Sequence, residues 1–160
     1  MTEADYIDSY MKEINIFPLL EPKEERKLAS IIRKYATGKR KQIAREKFIN
    51  ANLRLAVNLA KSFYAHFNFI TNISFMDYVG AANEGLARAV DHFNPKKYKT
   101  RFSTYAYPWI KVHLLRLLQS YDNNIYIPPH IIGKLSRYKS LLKEDEDVED
   151  QKLFRKLKVS

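Results

Sequence analysis

The chain has 160 residues, with 28 lysines and arginines against 18 acids, a formal net charge of +10 and no cysteine. Without cysteine, disulfides and thiolate metal sites are excluded, and no apolar run is long enough to span a bilayer. The length suits one domain, or one domain plus a tail, with a real core, the acidic start "MTEADYIDSY" is unlike a signal peptide, and the expected location is the cytoplasm.

The charge is polarised along the chain. Residues 1 to 25 carry seven acids and two lysines, whereas residues 26 to 61 carry eleven bases and one acid, Glu46. Such a field favours a polyanionic partner, most often nucleic acid; a lysine-rich solvated helix face is the plainer alternative.

Glycine is scarce and apolar residues recur at helical spacing, so the expected class is all-α. A first helix is predicted to about Ile14, ending before "FPLLEP". Pro22 suits a first helical turn, with Glu24 and Glu25 against the positive end of the dipole, and that helix fades near Thr37 and Gly38. One long helix is then predicted from about Lys39 to Phe67, its buried stripe being Ile49, Leu53, Ala56, Ala60, Phe63 and Phe67. Ser74 and Asp77 form a capping pair for the next helix, which "NP" at Asn94 and Pro95 ends beyond Phe93.

The following helix is predicted over roughly Ser103 to Tyr121. Its aliphatic stripe, Ala106, Ile110, Leu114, Leu117 and Tyr121, reads as the core face. A second face carries Arg101, Tyr105, Pro108, Trp109, Val112 and Arg116. The stretch "RFSTYAYPWI" packs Phe102, Tyr105, Tyr107 and Trp109 beside the basic "NPKKYKTR". Rings alone suit packing on another helix. Rings flanked by Lys96, Lys97, Lys99, Arg101 and Arg116 suit stacking of unpaired bases with cations on the phosphates. "NNIYIPPH" is an extended connector, a shorter helix is predicted to restart near His130, and the last residues open with an acidic run.

Four histidines, His66, His92, His113 and His130, have no metal-ligand spacing and read as surface or phosphate contacts. No glycine-rich phosphate loop or serine elbow appears. The sequence therefore points to no enzyme, metal site or cofactor.

"INANLRLAVNLAKSF", then "FMDYVGAANEGLARAVDHF", then "RFSTYAYPWI" resemble in order and spacing the second region of bacterial sigma factors of the sigma-seventy family. "DYIDSYMKEINIFPLLEPKEERKLA" resembles region 1.2, and "IYIPPHIIGKL" the connector into the third region. The resemblance implies a compact helical bundle of the sigma region 2 type over residues 1–127, with the start of region 3 and a linker over 128–160 as a helical extension. It implies a subunit that docks on core RNA polymerase, recognises the promoter minus-ten element and holds the melted non-template strand. An anti-sigma factor is a further implied partner, and a membrane is not.

By the same resemblance, Tyr105 stacks on a flipped adenine, with Phe102 and Arg101 walling its pocket. Asn52 and Leu55 line a second pocket for thymine. Trp109 matches the second member of a tryptophan pair at the upstream edge, Lys111 and Arg116 match basic positions along the same helix, and Lys99 lies in the basic stretch before it. Tyr10, Met11 and Lys12 read the strand just downstream, and His130 contacts backbone upstream. Asp77 and Asn83 face the coiled coil of the largest polymerase subunit. For Asp77, docking and helix capping weigh about equally.

Several positions depart from that family. Pro108 replaces the first tryptophan of a pair and is expected to bend or delay the helix start. Val112 and Leu115 replace polar base readers, which points to a different or looser preference at that edge. Gly80 and Ala81 replace polar docking residues, and Gly133 an acid. Family members continue into a helix-turn-helix domain, so the sequence is expected to be a fragment or to depend on another protein. Two captured bases are worth roughly 1–3 kcal/mol each, against about 1.4 kcal/mol per step for unstacking DNA. Melting a bubble therefore requires polymerase. The alternative reading is a duplex-binding regulator, or a polymerase-binding protein that keeps a sigma-like fold.

Overall fold

A computed structural model describes residues 3–35, 37–68 and 72–121. The described residues form six helices and no strand: α1 (Glu3–Asn15), α2 (Pro22–Lys34), α3 (Lys39–Asn50), α4 (Leu53–Phe67), α5 (Phe75–His92) and α6 (Phe102–Tyr121). The fold is all-α, as predicted. The connector, the helix near His130 and the acidic run lie outside the described residues.

Local chemistry sets the helix starts. Pro22 opens α2, and Glu21 and Glu24 close a capping box around its first turn. Ser74 caps α5: its Oγ accepts from the Asp77 N–H at 3.2 Å, while Asp77 Oδ2 accepts from the Ser74 N–H at 3.3 Å. Gly38 precedes α3 at φ 111°, a left-handed conformation that a side chain would strain.

The single helix predicted over residues 39–67 is two helices. In a continuous helix the Asn52 N–H would bond to the Phe48 carbonyl. Here that N–H goes to Ile49 O at 2.8 Å, and the Asn52 side-chain Nδ2 takes Phe48 O at 2.9 Å. The side chain has replaced the backbone donor, which breaks the ladder. The buried stripe changes with the turn. Phe48, Ala56, Val57, Ala60 and Phe67 are buried, whereas Ile49, Leu53 and Phe63 only pack on the rim.

Helix α5 is the centre of the bundle and packs most extensively on α6 and α4. Its close approach to α6 depends on Gly85, because a Cβ there would lie 2.7 Å from Ile110 Cα and 3.0 Å from Trp109 O. The buried face of α6 is Phe102, Ala106, Ile110, Leu114 and Leu118. These lie along an i+4 ridge, so Leu118 takes the place predicted for Leu117, which is half-buried. The helix starts at Phe102 and runs through Pro108, so the proline does not delay it.

Two ion pairs join elements distant in sequence. Arg45 on α3 donates two hydrogen bonds to Asp91 on α5, at 2.7 and 3.0 Å. Glu25 on α2 is buried; its Oε1 accepts from Arg101 at 3.0 Å and its Oε2 from the Phe102 N–H at 3.3 Å. A carboxylate of α2 thus caps the first turn of α6, where backbone N–H groups have no helical partner.

Candidate nucleic-acid interface

The aromatic side of α6 is continuous with the core. Phe48, Phe93 and Phe102 pack together, with Phe48 and Phe102 centroids 4.5 Å apart. Phe93 then meets Tyr105 at 5.2 Å, and Tyr105 meets Tyr98 at 4.8 Å and Trp109 at 6.1 Å. His92 stacks on Trp109 at 5.0 Å with only 21° between the planes. Buried phenylalanines therefore support an outer row of half-buried rings, Tyr98, Tyr105 and Trp109, that keep part of their surface in solvent.

This arrangement corrects one expectation. Phe102 is 0% exposed and lies inside, against Phe48 and Phe93, so no ligand reaches its ring in this conformation. It is the floor beneath the platform and not a wall of it. Arg101 is exposed but fixed at one nitrogen by Glu25. Tyr105 is half-buried, and burial pushes its phenol above the ordinary range, with a hydrogen bond from Trp109 pulling partly back, Tyr98 raising it and the Arg33 charge lowering it.

Cations border the rings. Lys96, Lys97 and Lys99 are exposed in the segment before α6, and the Lys97 ammonium lies 5.5 Å from the Tyr98 centroid. Farther along α6, Pro108, Trp109, Val112, His113 and Arg116 line a shallow cleft of about 290 Å³. Lys111 is exposed on the same helix, Val112 is 44% exposed, and Leu115 is half-buried.

The remaining candidates are more dispersed. Asn52 and Leu55 are half-buried at the α3–α4 break, the Asn52 amide partly engaged by Phe48 O. Met11 lines an apolar groove with Ile7, Val57, Tyr64 and Phe75, while Lys12 is exposed in the last turn of α1. Tyr10 and Asn83, expected to serve different ligands, meet each other: Asn83 Nδ2 donates to the Tyr10 hydroxyl at 2.9 Å. Asn83 Oδ1 is buried without a hydrogen-bond partner. Asp77 forms the α5 cap, and Gly80 on the same helix is exposed with open space where a side chain would stand. His130 lies outside the described residues.

The histidines divide. His66 and His92 are exposed and bond through Nδ1 to the carbonyls of Ser62 and Arg88, whereas His113 is half-buried, 3.7 Å from Glu84. His113 is thus placed against a carboxylate, not at the surface expected for it. Among the described residues, no group of three or more His, Asp or Glu side chains is arranged to hold a metal ion, and no helix is long and apolar enough to cross a membrane.

Sequence reasoning missed Tyr98 and Arg33, and it placed Glu25 at the start of α2 without its contact to α6. Tyr98 had a signal, an aromatic residue between lysines in "KKYK". The Glu25 contact had none, because the partner is 76 residues away.

Comparison with known families decides what this bundle is. Residues 48–123 match the model of sigma-70 region 2, and residues 5–35 that of sigma-70 factor, region 1.2. The chain belongs to the sigma-70 family. In that frame α1 and α2 form region 1.2, and the rest of the described bundle, from the end of α3, is region 2. The Glu25–Arg101 pair therefore joins the two regions.

Relatives are consistent with this. The chain is 37% identical over 133 residues to RNA polymerase sigma factor SigA of Lactococcus lactis subsp. cremoris, covering 83% of this chain and 34% of that protein. It is 34% identical over 135 residues to RNA polymerase sigma factor RpoS of Coxiella burnetii, covering 84% and 35%. It is 30% identical over 158 residues to RNA polymerase sigma factor SigA4 of Synechococcus elongatus, covering 88% and 49%. The chain thus spans about a third to a half of the length of these relatives.

Proposed function

We propose that this chain is the promoter-opening part of an RNA polymerase sigma subunit. It docks on core polymerase, recognises the minus-ten element and holds the melted non-template strand, in the cytoplasm and without catalysis of its own. The observation that carries this reading is the row Tyr98, Tyr105 and Trp109, backed by buried phenylalanines and bordered by lysines.

A half-buried ring on a fixed support offers a base a stacking surface at little ordering cost, and every base has such a face. The adjacent cations attract the backbone without choosing sequence. Tyr105 would take the extruded base, with Trp109, Lys111 and Arg116 toward the upstream edge and Lys99 and Arg101 on the strand. Asn52 and Leu55 would receive a second base, and Tyr10, Met11 and Lys12 the strand beyond it. His130 would contact backbone upstream.

Polymerase docking is assigned to α5, through Asp77 and Asn83, toward the coiled coil of the largest subunit. Asp77 caps its helix in the free chain, so docking must leave that cap intact or replace it. Val112 in place of a polar reader supports a looser preference at the upstream edge, because an aliphatic side chain supplies no hydrogen bond to a base.

The test is co-elution with core polymerase together with fluorescence anisotropy on non-template single strand and its duplex. The expected result is a complex with polymerase and tighter binding to single strand than to duplex. Failure to co-elute, or preference for duplex, contradicts the proposal, and the second outcome favours a duplex-binding regulator.

A further inference from the structure

A cleft of about 420 Å³ lies between the second half of α2 and the turn after α5, lined by Ser30, Arg33, Lys34, Asn94, Pro95 and Lys96. We propose that this cleft is a phosphate seat, occupied by the backbone of a nucleic-acid strand whose base lies on the Tyr105 platform. The inference rests on the single-strand reading above and extends the strand grip to α2.

The lining has the chemistry of an anion site. Its three charged residues are all cations, no carboxylate is among the six, and none of the three cations joins an ion pair among the described residues. Asn94 Oδ1 accepts the Lys96 N–H at 3.1 Å, which leaves the amide hydrogens of Asn94 as donors. The Ser30 hydroxyl is turned to Arg26 O at 2.7 Å and so contributes bulk and not a donor. Like charges lining a concave surface concentrate their field on a ligand of opposite sign. Guanidinium and ammonium groups both suit phosphate oxygens.

Position links the cleft to the rings. Lys96 is two residues before Tyr98, whose ring is 4.8 Å from Tyr105. The Arg33 charge slightly opposes the burial that raises the Tyr105 phenol. Glu25, roughly 12 Å down α2 from Arg33 at 1.5 Å per residue, fixes α2 to the start of α6. The seat and the platform are thus held by one set of contacts. Arg33 and Lys34 also complement the carboxyl-terminal end of the α2 dipole, so the test must separate helix stability from binding.

The test uses the 160-residue chain and a fluorescent single-stranded oligonucleotide. The variant Arg33→Gln/Lys34→Gln/Lys96→Gln is compared with Lys23→Gln/Lys27→Gln/Lys47→Gln, which removes the same charge from exposed positions elsewhere. The first is expected to bind several-fold more weakly than the second. Its slope of log affinity against log salt should become shallower by about 0.7 for each phosphate that the seat no longer neutralises. The preference for a base over an abasic site should be unchanged, and circular dichroism should show both variants folded at the assay temperature. Equal affinities and slopes for the two variants, with binding still dependent on Tyr105, overturn the seat and leave the single-strand reading standing. A parent that prefers duplex overturns that reading instead. Calorimetric titration with inorganic pyrophosphate should show no saturable binding in the micromolar range. Saturable binding that the first variant abolishes, with strand affinity intact, assigns the cleft to a free anion and overturns the strand as occupant.

Discussion

Glu25 and Arg101, 76 residues apart, meet at 3.0 Å where α2 crosses the start of α6. The ion pair itself is modest, because the Arg101 side chain is 56% exposed and solvent screens it. The larger consequence is at Glu25 Oε2, which accepts the N–H of buried Phe102. Glu25→Ala leaves that donor unpaired and should cost about 1–3 kcal/mol. Glu25→Gln keeps an acceptor and should cost less. Urea unfolding of the two variants checks the order, and equal losses would mean that the charge matters more than the cap.

Gly85→Ala sets two effects against each other. Alanine in a helix gains about 1 kcal/mol over glycine, but its Cβ would meet the backbone of Ile110 at 2.7 Å, which no rotamer change relieves. Forcing α5 and α6 apart should cost about 1–3 kcal/mol, so the net effect is a lower melting temperature. A melting temperature equal to or above the parent's would show that the helices separate easily.

Pro108 lies inside α6 with its ring exposed, and it has no N–H to offer the Thr104 carbonyl. Pro108→Ala restores that bond and should stabilise the chain, by at most about 3 kcal/mol. Differential scanning calorimetry reads the change, and a lower melting temperature would indicate that the proline's contact with the Trp109 cleft outweighs the missing bond.

The Tyr105 phenol carries a testable pH signature. Burial raises its pKa in the folded chain, so the native state keeps the proton longer than the unfolded chain does. Its contribution to stability is therefore complete below the ordinary tyrosine value of about 10 and is lost as pH rises through the folded value. Absorbance titration of the 11 tyrosines should show a lagging component, to which buried Tyr78 also contributes, that Tyr105→Phe makes smaller by one ring. An unchanged amplitude in that variant would place the lag on other rings.

Much of this fold was legible because helix starts and ends are written locally. Pro22, the Ser74–Asp77 pair and Asn94–Pro95 act through their nearest neighbours, and periodicity found the middle of the α6 core face, Ala106, Ile110 and Leu114. The failures have physical causes that act over distance or through one side chain. The Asn52 amide replaces its own backbone donor and splits a helix that periodicity makes continuous. Leu118 replaces Leu117 because contact with α5 follows the i+4 ridge. Phe102 stands in the basic, aromatic window, but the i+4 ridge through Ala106 turns it inward. The platform was legible as residue types, whereas its support by Phe48 and Phe93 depends on how the helices pack.

The central claim is that a base stacks on Tyr105, and the affinity of Tyr105→Phe and Tyr105→Ala for a non-template single strand tests it directly. Phenylalanine keeps the ring and should bind close to the parent, whereas alanine should lose about 1–3 kcal/mol. Alanine binding as tightly as the parent would contradict the account.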